Sequence, residues 1–162
     1  MKKKILVMAV VLIAVGAAVA QEDAYHQALR TQLETEYGVT GGDFVLAESE
    51  DSFYSRMQAT SVSRSKIDWD GEEPFTQVID LNIPSRGENA WDNAVRVTTT
   101  KAVQEGDVLL WVLWFKGIEA TEGFGHVTNV FEMTGSPYTK SLSQGGDLTN
   151  EWAQWMLPFE AS

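Results

Sequence analysis

The sequence predicts an all-β fold, an antiparallel sandwich or jelly roll with one short helix at its N-terminal end. Three observations lead there. Beyond Gly41-Gly42, apolar and polar residues alternate with a period of two, the pattern of strands with one buried face. Turn formers break this pattern at short intervals: Asp70-Gly71, Pro84, Glu105-Gly106-Asp107, Gly117, Gly123, Gly135-Ser136-Pro137 and Gly145-Gly146-Asp147. No helical period separates the strands, which argues against α/β winding.

Residues 1–20 come first and read as an export leader. Lys2-Lys3-Lys4 is positive, the run from Ile5 to Val15 is wholly apolar, and Ala18-Val19-Ala20 places small residues before Gln21. The run is shorter than the ~20 residues of a spanning helix. No cysteine follows it to carry a lipid. The expected organisation is therefore a leader over 1–20 and one domain over 21–162, secreted or periplasmic after cleavage near Ala20.

Residues 23–37 form the predicted helix. Tyr25, Leu29, Leu33 and Tyr37 recur every fourth position, and Gly38 supplies a stop. His26, Arg30 and Glu34 fall on the other side and read as a solvated face. Strands are expected over 44–47, 75–83, 94–100, 108–115, 126–133, 138–142 and 151–159. The Ser-rich and acidic stretch 48–73 reads as long loops holding a strand or two. Alternation assigns faces. Leu109, Trp111, Leu113 and Phe115 point into a core, as do Val127, Phe131 and Met133, and Trp155, Leu157 and Phe159. The opposite face gathers Trp114, His126, Thr128, Glu132 and Gln154.

Charge narrows the function. The chain has 12 basic and 23 acidic residues. Three of the basic ones and none of the acidic ones lie in the leader, so nine oppose 23 in the domain, a net charge of −14. Such a surface does not displace counterions from nucleic acid and is repelled by anionic membranes. With no cysteine, stability rests on packing alone.

Catalytic patterns are weak. The two histidines are isolated, no nucleophile elbow surrounds a serine, and no zinc spacing exists. The acidic loop Glu48-Ser49-Glu50-Asp51 lacks the spacing of a calcium loop and reads as solubilising charge. No catalytic residue, cofactor or metal ligand is therefore assigned. Binding chemistry fits better. A sugar presents an apolar C–H face and a rim of hydroxyls, so its site combines an aromatic ring with amide, carboxylate or imidazole partners. Trp91, Trp114, His126, Glu132 and Gln154 are the candidate site residues. Trp69 sits in a polar loop as Trp91 does, and Trp111, Trp152 and Trp155 are read as core.

The strand Gly106-Asp107-Val108-Leu109-Leu110-Trp111-Val112-Leu113-Trp114-Phe115-Lys116 resembles that of cenC-like carbohydrate-binding modules of families 4, 9 and 22. Pro74-Phe75-Thr76-Gln77, Asn89-Ala90-Trp91-Asp92, Pro137-Tyr138-Thr139-Lys140 and Glu151-Trp152-Ala153-Gln154 follow in the same order. The helical opening resembles the start of such modules where they precede family 10 endo-xylanases. The resemblance implies a galactose-binding-like jelly roll that holds xylan or β-glucan beside a covalently linked catalytic domain, without catalysing anything itself. It also implies further strands after Phe159, so the domain is expected to be incomplete at its C-terminal edge and to lack the family's calcium ligands.

The function expected is thus a non-catalytic carbohydrate-binding module of a secreted glycoside hydrolase, with a polysaccharide or oligosaccharide as partner and neither nucleic acid nor membrane. The rival expectation is a structural β-sandwich that packs against a catalytic domain without binding sugar.

Overall fold

The computed structural model describes residues 3–13, 23–89, 91–118 and 125–162. In chain order the elements are β1 (Lys3–Ile13), α1 (Ala24–Tyr37), β2 (Asp43–Phe44), α2 (Glu50–Arg56), β3 (Gln58–Thr60) and β4 (Ser63–Asp68). They continue with β5 (Gln77–Ile83), β6 (Ala94–Arg96), β7 (Val108–Gly117), β8 (Gly125–Glu132), β9 (Lys140–Leu148) and β10 (Ala153–Glu160). Most of the described secondary structure is β, and every ladder is antiparallel.

One six-stranded sheet runs β10-β7-β1-β5-β4, with β2 also paired to β1. Two small sheets, β3–β6 and β8–β9, stand apart from it. Residues 3–13, which read as an export leader, pair here as β1 between β5 and β7. Residues 14–22, with the expected cleavage position, lie outside the described residues.

Strand β7 has its two side-chain sets in two different cores. Leu109, Leu113 and Phe115 join Val45, Leu46, Phe53, Ile79 and Leu81 on one face, with Trp111, Phe131, Trp155 and Phe159 packed around them. Val112 joins Tyr25, Leu29, Leu33, Phe44, Phe75 and Val78 on the other, with Leu110, Trp114, Trp152 and Met156 alongside. The sheet is therefore covered on both sides, by α1 on one and by α2 and the β8–β9 hairpin on the other. A single plain core face was expected; the helix covers the second. An isolated 14-residue helix is marginal in water. Burying Tyr25, Leu29 and Leu33, each nearly inaccessible, supplies roughly 1.5–3 kcal/mol apiece, so α1 depends on the sheet.

Several local expectations change. The helix ends where Gly38 adopts φ 66°, its N–H reaching Glu34 and Leu33 carbonyls. Within it, however, His26 is 1% exposed and Tyr37 59% exposed, the reverse of the helical stripe read from the sequence. The stripe is turned by Asp23, which caps the helix and accepts from the His26 ring, holding that ring edge-on to Phe44. The stretch 48–73 holds α2 as well as β3 and β4. Its start is marked by Ser49, whose hydroxyl accepts from Ser52 N–H, followed by Glu50 and Asp51, with Arg56 in the last turn. Of the expected 44–47 strand only Phe44 makes a ladder, together with Asp43, although 44–47 are all buried. Met133 is half exposed rather than inward, beyond a register shift between Phe131 and Glu132.

Gly145-Gly146-Asp147 is not a turn but lies within the C-terminal part of β9, opposite Thr128, Val127 and His126. The glycines serve close approach. A Cβ on Gly146 would lie 2.5 Å from the Trp155 ring, and one on Gly145 3.0 Å from His126 Nε2. The turn between β8 and β9 lies earlier, where Tyr138 N–H reaches the Gly135 carbonyl at 2.8 Å.

Gly146→Ala is expected to destabilise the protein by about 1–3 kcal/mol through overpacking against Trp155. Gly135→Ala, with open space at its Cβ, should change stability by less than about 0.5 kcal/mol. Urea unfolding midpoints of the two variants provide the measurement; equal midpoints would contradict the close approach of β9 to Trp155.

Candidate ligand cleft under the N-terminal helix

The two ends of α1 determine what lies beneath it. At its start the Asp23 carboxylate accepts from His26 N–H at 3.0 Å and from Glu50 N–H at 2.7 Å, and contacts His26 Nδ1 at 2.6 Å. One side chain thus caps α1, orients a buried ring and ties the start of α2 to the start of α1. Burial raises the Asp23 pKa, but these hydrogen bonds outweigh it and bring the carboxyl below its ordinary 3.8. Its neighbour Glu50 moves the other way: burial raises it, and hydrogen bonds from the Thr76 N–H and hydroxyl offset only part.

Held in this way, α1 leans over β7 and β10 and leaves a cleft of about 300 Å³. Trp114 and Gln154 form its floor; they are direct partners in the β7–β10 ladder. Tyr25, Ala28, Gln32 and Glu36 line its helical wall, and Pro74 closes one side. The Gln32 and Gln154 amides face each other with reciprocal contacts of 3.2 and 3.1 Å. Gln32 Nε2 also lies 3.3 Å from Glu36 Oε2. Behind the cleft, Phe75 meets the rings of Tyr25, Trp114 and Trp152 edge-on, with centroids 6.2, 5.8 and 5.0 Å away. Trp69 completes the cluster against Trp152 and donates its indole N–H to Glu73 Oε2 at 2.7 Å.

The Tyr25 hydroxyl and the Trp114 indole N–H, on cleft-lining residues, are closed to solvent and lie beside one another without completing a hydrogen bond. Burial pushes the Tyr25 hydroxyl far above its ordinary value of 10.0, and the neighbouring Trp114 counters only part of that rise. The hydroxyl is therefore neutral throughout the ordinary pH range. A cleft of this size is at the small end of the ~300–1,000 Å³ typical of small-molecule sites. Its chemistry is an aromatic floor, two amides, a carboxylate and a phenol.

The chain matches no protein-family model, no curated protein and no solved structure. Among the described residues, no group of three or more His, Cys, Asp or Glu side chains is arranged to hold a metal ion. No helix among them is long and apolar enough to cross a membrane.

The five residues picked from the sequence do not share one face. Trp114 and Gln154 come together beneath α1. His126 and Glu132 lie on the β8–β9 hairpin, which packs through Val127 and Phe131 on the opposite side of the large sheet. There His126 Nδ1 meets Asp147 Oδ1 at 2.9 Å and Glu132 meets Lys140 at 3.1 Å, both in solvent-accessible pairs. Trp91 is 63% exposed in the turn before β6, next to the Asn89–Asp92 hydrogen bond, and does not line the cleft. The core reading of Trp111, Trp152 and Trp155 agrees with their packing, and Trp69 joins them. Sequence reading passed over Tyr25, Gln32 and Glu36. Their signal was spacing: with Ala28 they recur at three- and four-residue steps, one stripe along α1.

The lowered Asp23 pKa contributes stability above the unfolded value, which is lost as pH falls through the folded one. Glu50, raised by burial, opposes this, favouring the fold when protonated and losing that contribution as pH rises through its folded value. Asp23→Ala is expected to cost about 0.5–2 kcal/mol at neutral pH through the lost cap. The deficit should shrink as pH falls below 3.8. Urea unfolding of both proteins at neutral and strongly acid pH checks this; a deficit independent of pH would show that the carboxylate charge is immaterial.

Proposed function

We propose that the protein is an exported, non-catalytic carbohydrate-binding module that holds a plant cell-wall polysaccharide, xylan or β-glucan, for a glycoside hydrolase domain to which it is joined. The single observation that carries this reading is the cleft under α1. An indole floor suits the C–H face of a sugar ring, and the surrounding amides, carboxylate and phenol suit its hydroxyl rim. The Tyr25 hydroxyl and Trp114 N–H are closed to solvent, and a side-chain adjustment that opens them presents donors to a ligand hydroxyl. In this reading the antiparallel sheets are those of a galactose-binding-like jelly roll, with β3–β6 and β8–β9 as its second layer. Residues 1–20 direct export. Tethering then raises the local concentration of substrate at the linked enzyme. Trp91, His126 and Glu132 sit outside this cleft, and a role for them requires a second contact zone on the polymer.

The rival reading, a β-sandwich that only packs against an enzyme domain, is favoured by the Gln32–Gln154 pair, whose amides already satisfy each other.

Electrophoresis through gels containing xylan or barley β-glucan separates the two. Retarded migration in one polymer is expected; unretarded migration in both would overturn the proposal. Trp114→Ala is a poor probe, because the ring packs into the α1 core and its loss should cost about 3–5 kcal/mol. Tyr25→Phe is the better one. Removing an unpaired buried hydroxyl leaves stability nearly unchanged or improves it, while loss of a ligand hydrogen bond worth about 1 kcal/mol should weaken retention several-fold. Unaltered retardation by Tyr25→Phe would place the sugar elsewhere.

A further inference from the structure

The large sheet has two free edges, β10 and β4, and they are finished differently. On β10, Pro158 stands in the ladder opposite Leu110 and has no N–H to offer a further strand. The β8–β9 hairpin also crowds this side, with Gly146 against the Trp155 ring. Strand β4 has neither protection. It pairs with β5 from Ser63–Asn82 to Asp68–Gln77, and among the described residues no backbone hydrogen bond reaches it from the other side. Ser63, Ser65, Lys66, Ile67 and Asp68 are all exposed.

The side chains of β4 divide by face. Arg64 and Lys66 lie over the Tyr54 ring of α2, 4.5 and 6.0 Å from its centroid, and Asp68 shares their face by alternation. Ile67, opposite Val78, marks the α1 side, where Ser63 and Ser65 also fall. A two-fold axis normal to the sheet joins two identical edges antiparallel and keeps each face on its own side. Residues opposite one another then share a face, so the joint centres on a residue opposite its own copy. Centred on Ser65, it sets Arg64 against Lys66 of the second copy, twice over, and like charges directly opposite are destabilising. Centred on Lys66, it sets Arg64 against Asp68 of the second copy, twice over, and Ser65 against Ile67. The one like pair is then Lys66 with itself, and each Lys66 is already bonded to its own Asp51.

We propose that two copies of the chain pair through β4 in the register centred on Lys66, so that one sheet runs through both. A six-residue edge is far short of the roughly 20–30 residues a side of a standard interface, so the dimer forms only at high concentration. Both α1 clefts lie on the same side of the joined sheet, an arrangement that permits avidity for a polymer. The pairing itself rests on β4 and is independent of sugar binding.

Sedimentation equilibrium of the full 162-residue chain, from micromolar to millimolar concentration, should show monomer and dimer in exchange. A monomer throughout would overturn the proposal. Asp68→Lys turns both attractive pairs into repulsive ones at an exposed position and should weaken the dimer at least about tenfold. A dimer of unchanged strength would place the contact elsewhere and sink the β4 assignment. The chain has no cysteine, so a single introduced one links only two copies. Lys66→Cys should oxidise to a covalent dimer at least about tenfold faster than Ser65→Cys, whose position faces Ile67 of the second copy. Equal rates, or faster linkage at position 65, would overturn the register.

Discussion

Everything in this molecule is organised by the double burial of β7. Its odd-numbered residues from Leu109 to Phe115 enter one core, and its even-numbered residues from Leu110 to Trp114 enter the other. A strand that exposes one face to water needs only one covering layer. This one needs two, and the chain supplies α1 for the first and α2 with the β8–β9 hairpin for the second. The demand extends to β10, where Trp155 and Phe159 go to one core while Met156, with Trp152 just before the strand, goes to the other. Because no cysteine is present, these two packed faces carry the stability without covalent help.

The cleft is a consequence of how α1 satisfies that demand. Tyr25, Leu29 and Leu33 give the helix its anchor, but Ala28, Gln32 and Glu36 lie along its border, where small and polar side chains do not fill the space above Trp114 and Gln154. Asp23 sets the tilt by capping α1, gripping the His26 ring and holding Glu50 N–H at once. A buried donor or acceptor without a partner costs about 1–3 kcal/mol. Tyr25 and Trp114 each carry one, as do Trp111 and Trp152 packed against the two cores.

Much of the β pattern was legible because alternation is local. The strands β5, β7, β8 and β10 and the split of Trp152 from Trp155 follow from a period of two. Three features were not legible in this way. Gly145-Gly146 carries the composition of a turn, yet serves to let a strand pass over Trp155. His26 sits on the polar side of the helical wheel but is buried because Asp23 pairs with it and Phe44 covers it. The candidate site divided because His126 and Glu132 belong to a hairpin that crosses to the far side of the sheet, a matter of which strands pair rather than which residues alternate. Tyr25 and Gln32 were hidden for the opposite reason, since their spacing reads as ordinary helix packing until a neighbour is placed beneath them.

By itself the sequence determined the acidic character of the domain, the helix stopped by Gly38, the mainly antiparallel β architecture and the aromatic strand over 108–115. These rest on composition and on periods of two and three to four residues, which short-range sterics enforce. Only the tertiary structure decided that both faces of that strand are covered, that Trp114 and Gln154 meet Tyr25 and Gln32 under a helix, and that residues 3–13 pair in the middle of the sheet. Those outcomes depend on contacts between residues more than a hundred positions apart, such as Gln32 with Gln154. No local pattern encodes them, because the same apolar run satisfies a leader and a strand equally well until its neighbours are known.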